Sequence, residues 1–300
     1  MRVYAHYARE NWVIDRVAAE FNSQNLDFIT VDPAKADVIW VLSPWIWNSV
    51  PLKMLEQKKV VMTIHHIVPE KFNLKEFLVR DHYVNLYHVP CQKTKDFISQ
   101  YTNKPIDIIG YWIDLDFWKP ESKTAARRAL NLDPSDYIIG SFQRDTEGHD
   151  LKTPKLEKGP DLFVQYVKEN RKENTHVLLG GWRRQYIINE LEKEYIKYTM
   201  MPLVQRETLK KMYAACDLYV VSSRHEGGPQ AVLEAPAMKV PIISTDVGMA
   251  SAILPEKCVF DVTKGDYIPT TEDVEEAFQN VQQYNLKQHV QNYGMMFWRA

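Results

Sequence analysis

The sequence predicts an α/β protein whose parallel sheets are divided between two lobes. Short apolar runs alternate with amphipathic segments along the chain, which is typical of parallel strands joined by crossover helices. A length of 300 residues suits two domains of ordinary size better than one. An apolar share of 45% is sufficient for each domain to bury a core.

The first half contains four candidate strands. They are the apolar runs at residues 2–5, 38–42, 60–64 and 106–109. A helix is predicted between the first two strands, because Val13, Val17 and Phe21 recur every four residues along one stripe. The break between the halves is expected near residues 112–135, where Trp118-Lys119-Pro120-Glu121-Ser122 resembles a linker.

The second half repeats the alternation of strands and helices. Its candidate strands are residues 137–142, 176–179, 218–221 and 241–244. Its candidate helices are residues 125–130, 159–170, 186–198 and 207–216. Ligands of such sheets bind at the carboxyl ends of the strands, so the segments that follow these strands are the place to search for a site.

Composition excludes several classes of protein. A net charge of -2 provides no basic excess for binding nucleic acid. Three widely separated cysteines argue against a disulfide framework or a zinc site and favour the reducing cytoplasm. The polar start lacks the features of a signal peptide, and no apolar run approaches the length of a membrane span. The oligomeric state is left open.

Peripheral contact with a membrane is compatible with the sequence. Basic and aromatic or aliphatic residues alternate in one short stretch, and together they could form an interfacial face. These residues are Lys71, Phe72, Leu74, Lys75, Phe77 and Arg80. The alternative interpretation is an ordinary solvated amphipathic helix.

The most informative motif lies between residues 222 and 235. Glu226 and Glu234 are separated by seven residues across a Gly-Gly-Pro turn, directly after the strand-like run at 218–221. The segment therefore predicts a strand, a tight turn and a helix, with Glu234 about two turns into the helix. Free amides at the helix start favour phosphate, whereas the carboxylates suit sugar hydroxyls. Phosphate and hydroxyl groups side by side indicate a nucleotide sugar.

This segment resembles the E-x7-E motif of retaining glycosyltransferases with the GT-B fold, particularly family 4. Members often read S-x-x-E-G-x-x-x-x-x-L-E-A, followed by a segment that ends in G-x-P-V-I. Here Lys239 replaces the small residue of the second segment. Met249 and Ala252 replace the glycine and the glutamate that members carry after Gly248.

The resemblance implies two Rossmann-like domains whose parallel sheets face each other across a cleft. It places an acceptor-binding domain at residues 1–118, a domain for the nucleotide sugar at 119–285, and a returning C-terminal helix at 286–300. Phe297-Trp298 resembles the F-x-W ending of the family. The implied reaction transfers a hexose from a UDP- or GDP-sugar to a carbohydrate or other hydroxyl acceptor, with neither a metal nor a further cofactor.

A pair of cations is expected to bind the diphosphate of the donor. Family members carry G-R-x-x-x-x-K-G-x-D-x-L, and Arg144 and Lys158 occupy the matching positions. Two cations would stabilise the charge that develops on the leaving diphosphate. Because the loop between them is long, Lys152 and Lys155 compete with Lys158 for the second role.

The resemblance assigns further donor-site roles around the motif. Glu226 would lie beside the transferred sugar, and Glu234 would bind the ribose. The amides of Gly227, Gly228 and Gln230 would contact the sugar or its phosphate. Gly180, at the end of another strand, would line the nucleotide site, whereas its neighbours Arg183 and Arg184 are expected to be solvated.

The first lobe is expected to contribute residues for the acceptor. His65 matches the histidine of a family T-x-H-D segment, where it could bind the sugar or the acceptor, although a structural histidine is the alternative. Trp45 and Trp47 are candidates for stacking on acceptor sugars, and Trp112 and Trp118 are weaker ones. For all four tryptophans a place in a core or interface is the alternative.

One apparent metal motif is rejected. Asp114-Leu115-Asp116 has the D-x-D pattern of a different class, the GT-A enzymes, but its surroundings resemble the interdomain segment of family 4. Two other functions stay open besides transfer. One is a nucleotide-sugar epimerase or a phosphorylase on the same fold, and the other is a non-catalytic module that binds nucleotide or glycan.

Overall fold

The computed structural model describes residues 1–10, 13–24, 26–148 and 150–300. They form two compact units, one comprising Met1–Trp112 with Tyr284–Ala300 and the other comprising Ile113–Gln283. The sequence predicts domain boundaries after residues 118 and 285. In the structure the corresponding limits of the units lie a few residues earlier, after Trp112 and Gln283.

Ten strands form two sheets of five. They are β1 Val3–His6, β2 Val38–Val41, β3 Lys59–Thr63, β4 Leu86–Val89, β5 Ile106–Ile108, β6 Tyr137–Ser141, β7 Thr175–Gly180, β8 Lys197–Met201, β9 Leu218–Val221 and β10 Ile242–Ser244. The first sheet has the order β1-β2-β3-β4-β5 and the second has the order β10-β9-β6-β7-β8. Neighbouring strands are parallel in both sheets. The α/β class predicted from the sequence is confirmed.

Twelve α-helices connect and cover the strands. They are α1 Val13–Asn22, α2 Leu52–Gln57, α3 Leu74–Asp81, α4 Gln92–Ile98, α5 Lys123–Ala129, α6 Pro160–Asn170, α7 Gln185–Lys193, α8 Arg206–Ala215, α9 Ala231–Ala237, α10 Ala250–Ile253, α11 Thr271–Val281 and α12 Leu286–Arg299. Short 3-10 turns lie at Pro33–Lys35, Pro44–Ser49, Pro69–Lys71, Leu156–Lys158, Glu256–Cys258 and Gln282–Tyr284. These counts refer to the described residues.

The first sheet is covered on both faces, so its central strands β2, β3 and β4 are buried along nearly their whole length. All four residues of β2 are buried. On one face, Phe21 of α1 and Tyr293 and Phe297 of α12 pack against Trp40 of β2. Helix α12, at the C-terminal end of the chain, thus belongs to the core of the first unit.

A buried polar network joins three strands of the first sheet. Trp40 Nε1 donates to Thr63 Oγ1 at 2.8 Å, and Thr63 Oγ1 lies 2.9 Å from His88 Nδ1. His88 Nε2 lies 2.8 Å from the carbonyl oxygen of Ile109. Since that oxygen only accepts, Nε2 carries the proton and Nδ1 accepts from the threonine hydroxyl. Burial lowers the pKa of His88 to about 4, which keeps the ring neutral.

The second unit has the same construction. Phe163 and Val167 of α6 and Leu191 of α7 pack on the apolar residues of β6, β7 and β9. Helix α11 begins with a capping box, in which the Thr270 side chain accepts from the backbone of Asp273 and the Asp273 carboxylate accepts from the backbone of Thr270.

Two strands were not predicted, and one predicted helix is too long. β4 and β8 were missing from the sequence prediction. The helix predicted over residues 186–198 is wrong at its C-terminal end, because α7 ends at Lys193 and β8 begins at Lys197. Tyr195 separates them with a left-handed backbone (φ 55°), which non-glycine residues seldom adopt and which ends the helix.

The basic and aromatic stretch at residues 71–80 does not form one exposed face. In α3 and its preceding turn, Phe77 and Arg80 are buried, whereas Leu74, Leu78 and Val79 are exposed. The Asn73 side chain caps α3 by accepting from the backbone of Glu76 at 3.1 Å. Among the described residues, no helix combines the length and the apolar character needed to cross a membrane.

Candidate active site

An ion pair joins two of the predicted site residues in the second unit. Lys158 Nζ lies 2.5 Å from Glu226 Oε1, although the two residues are far apart in sequence. Their side chains are 19% and 12% exposed, so the pair is largely shielded while one side stays accessible to solvent. The structure therefore brings together one residue of the predicted cation pair and the first glutamate of the motif.

Glycine at position 159 allows the two segments to meet. Gly159 has a left-handed backbone (φ 59°) and separates the 3-10 turn Leu156–Lys158 from α6. A Cβ atom at this position would lie 1.7 Å from the carbonyl oxygen of Ser222, which no side chain permits. The amides of Arg224 and His225 donate to the carbonyl of Glu157 at 2.9 and 3.1 Å. The lysine is thus fixed beside the glutamate by backbone contacts.

Side chains from two strand ends complete this arrangement. Gln143, just after β6, donates through Nε2 to the carbonyl of Lys158 at 2.9 Å. Ser223, just after β9, places its hydroxyl 3.2 Å from both Gln143 Oε1 and Glu226 Oε1, and it donates to one of them at a time. β6 and β9 are paired neighbours, so their carboxyl ends position the polar network.

Four cations near this pair are coupled by their charges, since Arg183 acts on Arg144, and both Arg144 and Lys158 act on Lys155; we call Arg144, Lys155, Lys158 and Arg183 the basic cluster. Burial, and next the like charge of Arg183, lower the pKa of Arg144, while Glu157 and Glu147 oppose the shift. Burial and the charge of Arg144 also lower the pKa of Lys155, which pairs with Glu157 at 3.3 Å. Cations held close enough to perturb one another form an environment suited to an anion.

The rival lysines of the loop differ in their surroundings. Lys155 is shielded and belongs to the basic cluster. Lys152 is exposed, and its backbone amide donates to Asp150 Oδ1 at 3.0 Å in a local turn. The arrangement favours Lys155 over Lys152 as a companion of Lys158.

Glu234 is buried at the start of a short helix. Helix α9 begins at Ala231, so Glu234 lies in its first turn rather than about two turns in, as the sequence predicted. The residue is 3% exposed, and its Oε2 accepts from the hydroxyl of Tyr213 at 2.8 Å. A buried carboxylate requires such a donor. Tyr213 was not predicted as a site residue, because nothing in its own surroundings in the sequence identifies this partner.

The turn before α9 is held by close backbone packing. Gly227 and Gly228 lie in the turn, and Gln230 is the N-cap residue of α9. Gly248 has a left-handed backbone (φ 54°), and a Cβ atom there would lie 2.2 Å from the carbonyl oxygen of Gly227. The glycine that follows β10 therefore allows the loop to pack on the turn that carries Glu226.

A buried arginine fixes the strand ends around Gly180. Arg184 was expected to be solvated, and this is wrong, since the side chain is fully buried. It donates to Asp145 Oδ2 at 3.1 Å, to the carbonyl of Gly180 at 2.7 Å and to Ser141 Oγ at 3.0 Å. Asp145 follows Arg144 directly, so this pair anchors the segment that carries a cluster cation. The sequence could not predict the burial of Arg184, because a charged residue in a loop is usually exposed.

In the first unit, His65 follows the end of β3. Its Nε2 lies 2.6 Å from the carbonyl oxygen of Leu42, and its Nδ1 contacts the hydroxyl of Tyr111. The carbonyl requires a proton on Nε2, so Nδ1 accepts from Tyr111. Both ring nitrogens are engaged by the protein, which is the arrangement of a structural histidine, and the catalytic role of His65 stays a prediction.

The four candidate tryptophans have different environments. Trp45 is 55% exposed, and Trp47 is partly buried and stacks on Tyr83 with a centroid distance of 5.7 Å. Trp112 and Trp118 are buried in the cores of the two units. Burial leaves Trp112 and Trp118 no face to offer to a sugar, whereas Trp45 and Trp47 keep accessible surface.

The aspartates of the D-x-D pattern have structural partners. Asp114 Oδ1 accepts from the amides of Asp116 and Phe117 at 3.1 and 3.2 Å, and Asp114 Oδ2 lies 3.4 Å from Arg206. These contacts cap a turn at the start of the second unit.

Comparison with known proteins identifies a family match in the second unit of the chain. Residues 151–284 match the family model described as Glycosyl transferases group 1. The resemblance to group 1 glycosyltransferases is confirmed. The match includes Lys158, Glu226 and Glu234, and it leaves out Arg144 and residues 1–112 of the first unit.

Two curated glycosyltransferases are similar over about half of this chain. The lipopolysaccharide core biosynthesis mannosyltransferase LpsB of Rhizobium meliloti (strain 1021) is 29% identical over 52% of this chain and 45% of its own length. A D-inositol 3-phosphate glycosyltransferase of Segniliparus rotundus is 28% identical over 48% of this chain and 32% of its own length. The chain thus spans less than half the length of these relatives.

Solved structures of other proteins share this fold along almost the whole chain. Anabaena Alr3699/HepE in complex with UDP-glucose has a TM-score of 0.79 at 12% identity and covers 99% of both chains. The sucrose-phosphate synthase of Thermosynechococcus elongatus has a TM-score of 0.70 at 16% identity, over 97% of this chain and 79% of its own. At this identity the likeness shows the fold alone, and the predicted GT-B class, with two Rossmann-like halves, is confirmed.

Proposed function

We propose that this protein transfers a hexose from a nucleoside-diphosphate sugar to a hydroxyl acceptor, with retention of anomeric configuration and without a metal. The observation that carries the proposal is the 2.5 Å contact between Lys158 and Glu226 beside the basic cluster. A diphosphate needs cations and a sugar needs hydrogen-bond acceptors, and this contact places one of each side by side. The names of the relatives support a glycosyl donor, and HepE was solved with UDP-glucose.

In the proposed reaction, Arg144 and Lys158 stabilise the departing diphosphate. The bond between the anomeric carbon and the phosphate oxygen breaks as the acceptor oxygen attacks from the same face. The acceptor proton passes to the departing diphosphate, so no enzyme nucleophile is required. Glu226 orients the sugar, Glu234 binds the ribose, and the amides of Gly227, Gly228 and Gln230 contact the sugar or its phosphate. Electrostatic stabilisation of the leaving group supplies most of the acceleration.

The remaining assignments extend the same proposal. Gly180 lines the nucleotide site, and Trp45, Trp47 and His65 of the first unit contact the acceptor. We also propose that the protein works in the cytoplasm. The three cysteines, Cys91, Cys216 and Cys258, are free and buried, as expected in a reducing compartment.

A two-stage experiment tests the proposal. Thermal-shift measurements with UDP, GDP, ADP and their hexose derivatives identify the nucleotide, and one of them is expected to raise the melting temperature at millimolar concentration. Incubation of that donor with candidate acceptors is then expected to give an α-linked product from an α-linked donor, as read by NMR.

Three results would contradict transfer. Conversion of the donor sugar without any acceptor would indicate an epimerase. Release of a sugar phosphate by inorganic phosphate would indicate a phosphorylase. Nucleotide binding with neither transfer nor slow hydrolysis of the donor would indicate a binding module.

A further inference from the structure

Glu234, which the proposed reaction assigns to the ribose, is paired with Tyr213, a residue that the proposed reaction does not use. Tyr213 lies in α8 and Glu234 in α9, and the tyrosine hydroxyl donates to Glu234 Oε2 at 2.8 Å. The two residues are 2% and 3% exposed. In such surroundings a hydrogen bond to a carboxylate is strong, and a missing partner is costly.

A second tyrosine extends the pair to the strand that precedes Arg144. Tyr219 of β9 accepts from the backbone amide of Phe142 at 2.9 Å. The rings of Phe142, Tyr213 and Tyr219 pack on one another with centroid distances of 4.9 to 5.1 Å. Phe142 directly follows β6, two residues before Arg144. The aromatic cluster thus fixes Tyr213 relative to both the helix of Glu234 and the segment of Arg144.

Tyr213 is the donor in its hydrogen bond with Glu234. Burial, and next the charge of Glu234, raise the pKa of Tyr213 well above its usual value, so the hydroxyl keeps its proton. A carboxylate accepts about four hydrogen bonds, so the bond from Tyr213 fixes the carboxylate without using its whole acceptor capacity. A rigid aromatic side chain is well suited to orienting a carboxylate.

We propose that Tyr213 is a positioning residue that holds the Glu234 carboxylate in the orientation that binds the ribose hydroxyls of the donor. The site then selects ribonucleoside diphosphates over inorganic pyrophosphate and over 2′,3′-dideoxynucleotides. This inference rests on the proposed function, specifically on the contact between Glu234 and ribose. It adds the residue on which that contact depends.

The experiment measures the affinity of the full chain for UDP and for inorganic pyrophosphate by calorimetry. Removal of the hydroxyl in Tyr213→Phe is expected to weaken UDP binding about tenfold, because a charge-assisted contact loses its geometry. Pyrophosphate affinity is expected to stay within twofold of the original. Glu234→Gln is expected to show the same selective loss, and Tyr213→Phe added to Glu234→Gln is expected to change little further.

Tyr166→Phe is the matched control. Tyr166 is a buried tyrosine of α6 in the core of the same unit, and its replacement is expected to leave both affinities unchanged. If GDP or ADP replaces UDP as the nucleotide that the original chain binds, that nucleotide serves as the probe.

The outcomes separate this inference from the proposed function. Equal UDP affinity in Tyr213→Phe and the original chain, or a loss that pyrophosphate shares, overturns the positioning role and leaves transfer intact. If Tyr213→Phe does not fold, Glu234→Gln provides the test. Unchanged UDP affinity in Glu234→Gln would then overturn the positioning role of Tyr213, because that role requires Glu234 to bind the nucleotide. If the original chain binds none of the three nucleotides, the proposed function fails together with this inference.

Discussion

The ammonium group of Lys158 lies 2.5 Å from Glu226 Oε1, so the proposed phosphate ligand is paired with the proposed sugar ligand. In this arrangement a negative charge sits beside the cation that the diphosphate requires. The diphosphate must therefore compete with Glu226 for Lys158, and part of the binding energy of the donor is used to separate or share this pair.

The first prediction concerns the sign of the effect of Glu226. We expect Glu226→Gln to tighten the binding of UDP, because it removes a like charge from beside the phosphates. At a partly shielded site this repulsion costs about 1 kcal/mol of binding free energy, so its removal corresponds to about a fivefold lower Kd. The same variant is expected to slow hexose transfer about tenfold or more, because the sugar loses its orienting carboxylate. Calorimetry and a product assay measure the two effects.

Glu256→Gln provides the control for the first prediction. Glu256 is an exposed glutamate of the second unit, in the 3-10 turn Glu256–Cys258, and its replacement is expected to alter neither quantity. Weaker UDP binding by Glu226→Gln would show that Glu226 supports the nucleotide rather than opposing it. Unchanged transfer would remove Glu226 from the reaction.

The second prediction distinguishes the lysines of the long loop. We expect Lys155→Met to weaken UDP binding about threefold to tenfold, because Lys155 belongs to the basic cluster, and Lys158→Met to weaken it at least as much. Lys152→Met is expected to have no measurable effect, since Lys152 is exposed. Calorimetry at two salt concentrations measures the three variants. A larger loss in Lys152→Met than in Lys155→Met would place the phosphate elsewhere in the loop.

Much of the fold could be predicted from the sequence, because eight strands are apolar runs set between helices. The strands β4 and β8 were not predicted from the sequence, for different reasons. β8 (Lys-Tyr-Thr-Met-Met) continues the apolar pattern of α7, and the left-handed residue Tyr195 that separates them carries no sequence signal. β4 contains a histidine whose burial depends on Thr63 and Ile109, and those partners are visible only after folding.

The candidate site could be predicted only where it follows a local motif. Glu226, Glu234 and Lys158 lie in such motifs, and the structure joins two of them directly. Asp145, Arg184 and Tyr213 could not be found, because each acquires its role from a partner about 20 to 40 residues away. Sequence composition records a charge or a hydroxyl, but not whether folding will bury it.

The third prediction compares two glycines with the same backbone conformation. Gly159 (φ 59°) and Gly148 (φ 61°) are both left-handed, but a Cβ atom at Gly159 would meet the backbone of Ser222, whereas none of the residues that the structure describes lies within 4 Å of a Cβ atom at Gly148. Alanine at Gly148 is expected to cost about 1–2 kcal/mol for the conformation alone. Alanine at Gly159 is expected to cost more than about 4 kcal/mol, because it also clashes with Ser222. Urea unfolding measures both variants, and equal midpoints would contradict the close approach.

The fourth prediction concerns the stability of the first unit at acidic pH. His88 is buried and neutral, with a pKa of about 4 in the folded protein, whereas an unfolded histidine has its usual value of 6.5. The unfolded chain therefore binds the proton first, and the stabilising contribution of neutral His88, complete above pH 6.5, is lost as the pH falls towards 4. The shift corresponds to about 3 kcal/mol.

Urea unfolding between pH 7 and pH 4 checks this expectation in three proteins. We expect His88→Gln to be less stable than the original chain at pH 7, because its fit to Thr63 and Ile109 is poorer, and to lose less stability on acidification. His82→Gln, which replaces an exposed histidine after α3, is expected to follow the original chain at every pH. A parallel loss of stability in His88→Gln and the original chain would show that other groups cause the acid sensitivity. If the stabilities of the original chain and of His88→Gln converge near pH 4, the acid sensitivity belongs to the buried His88 ring. Folding keeps His88 unprotonated down to about pH 4, so the stability that depends on the neutral ring is lost between pH 6.5 and pH 4 in the original chain alone.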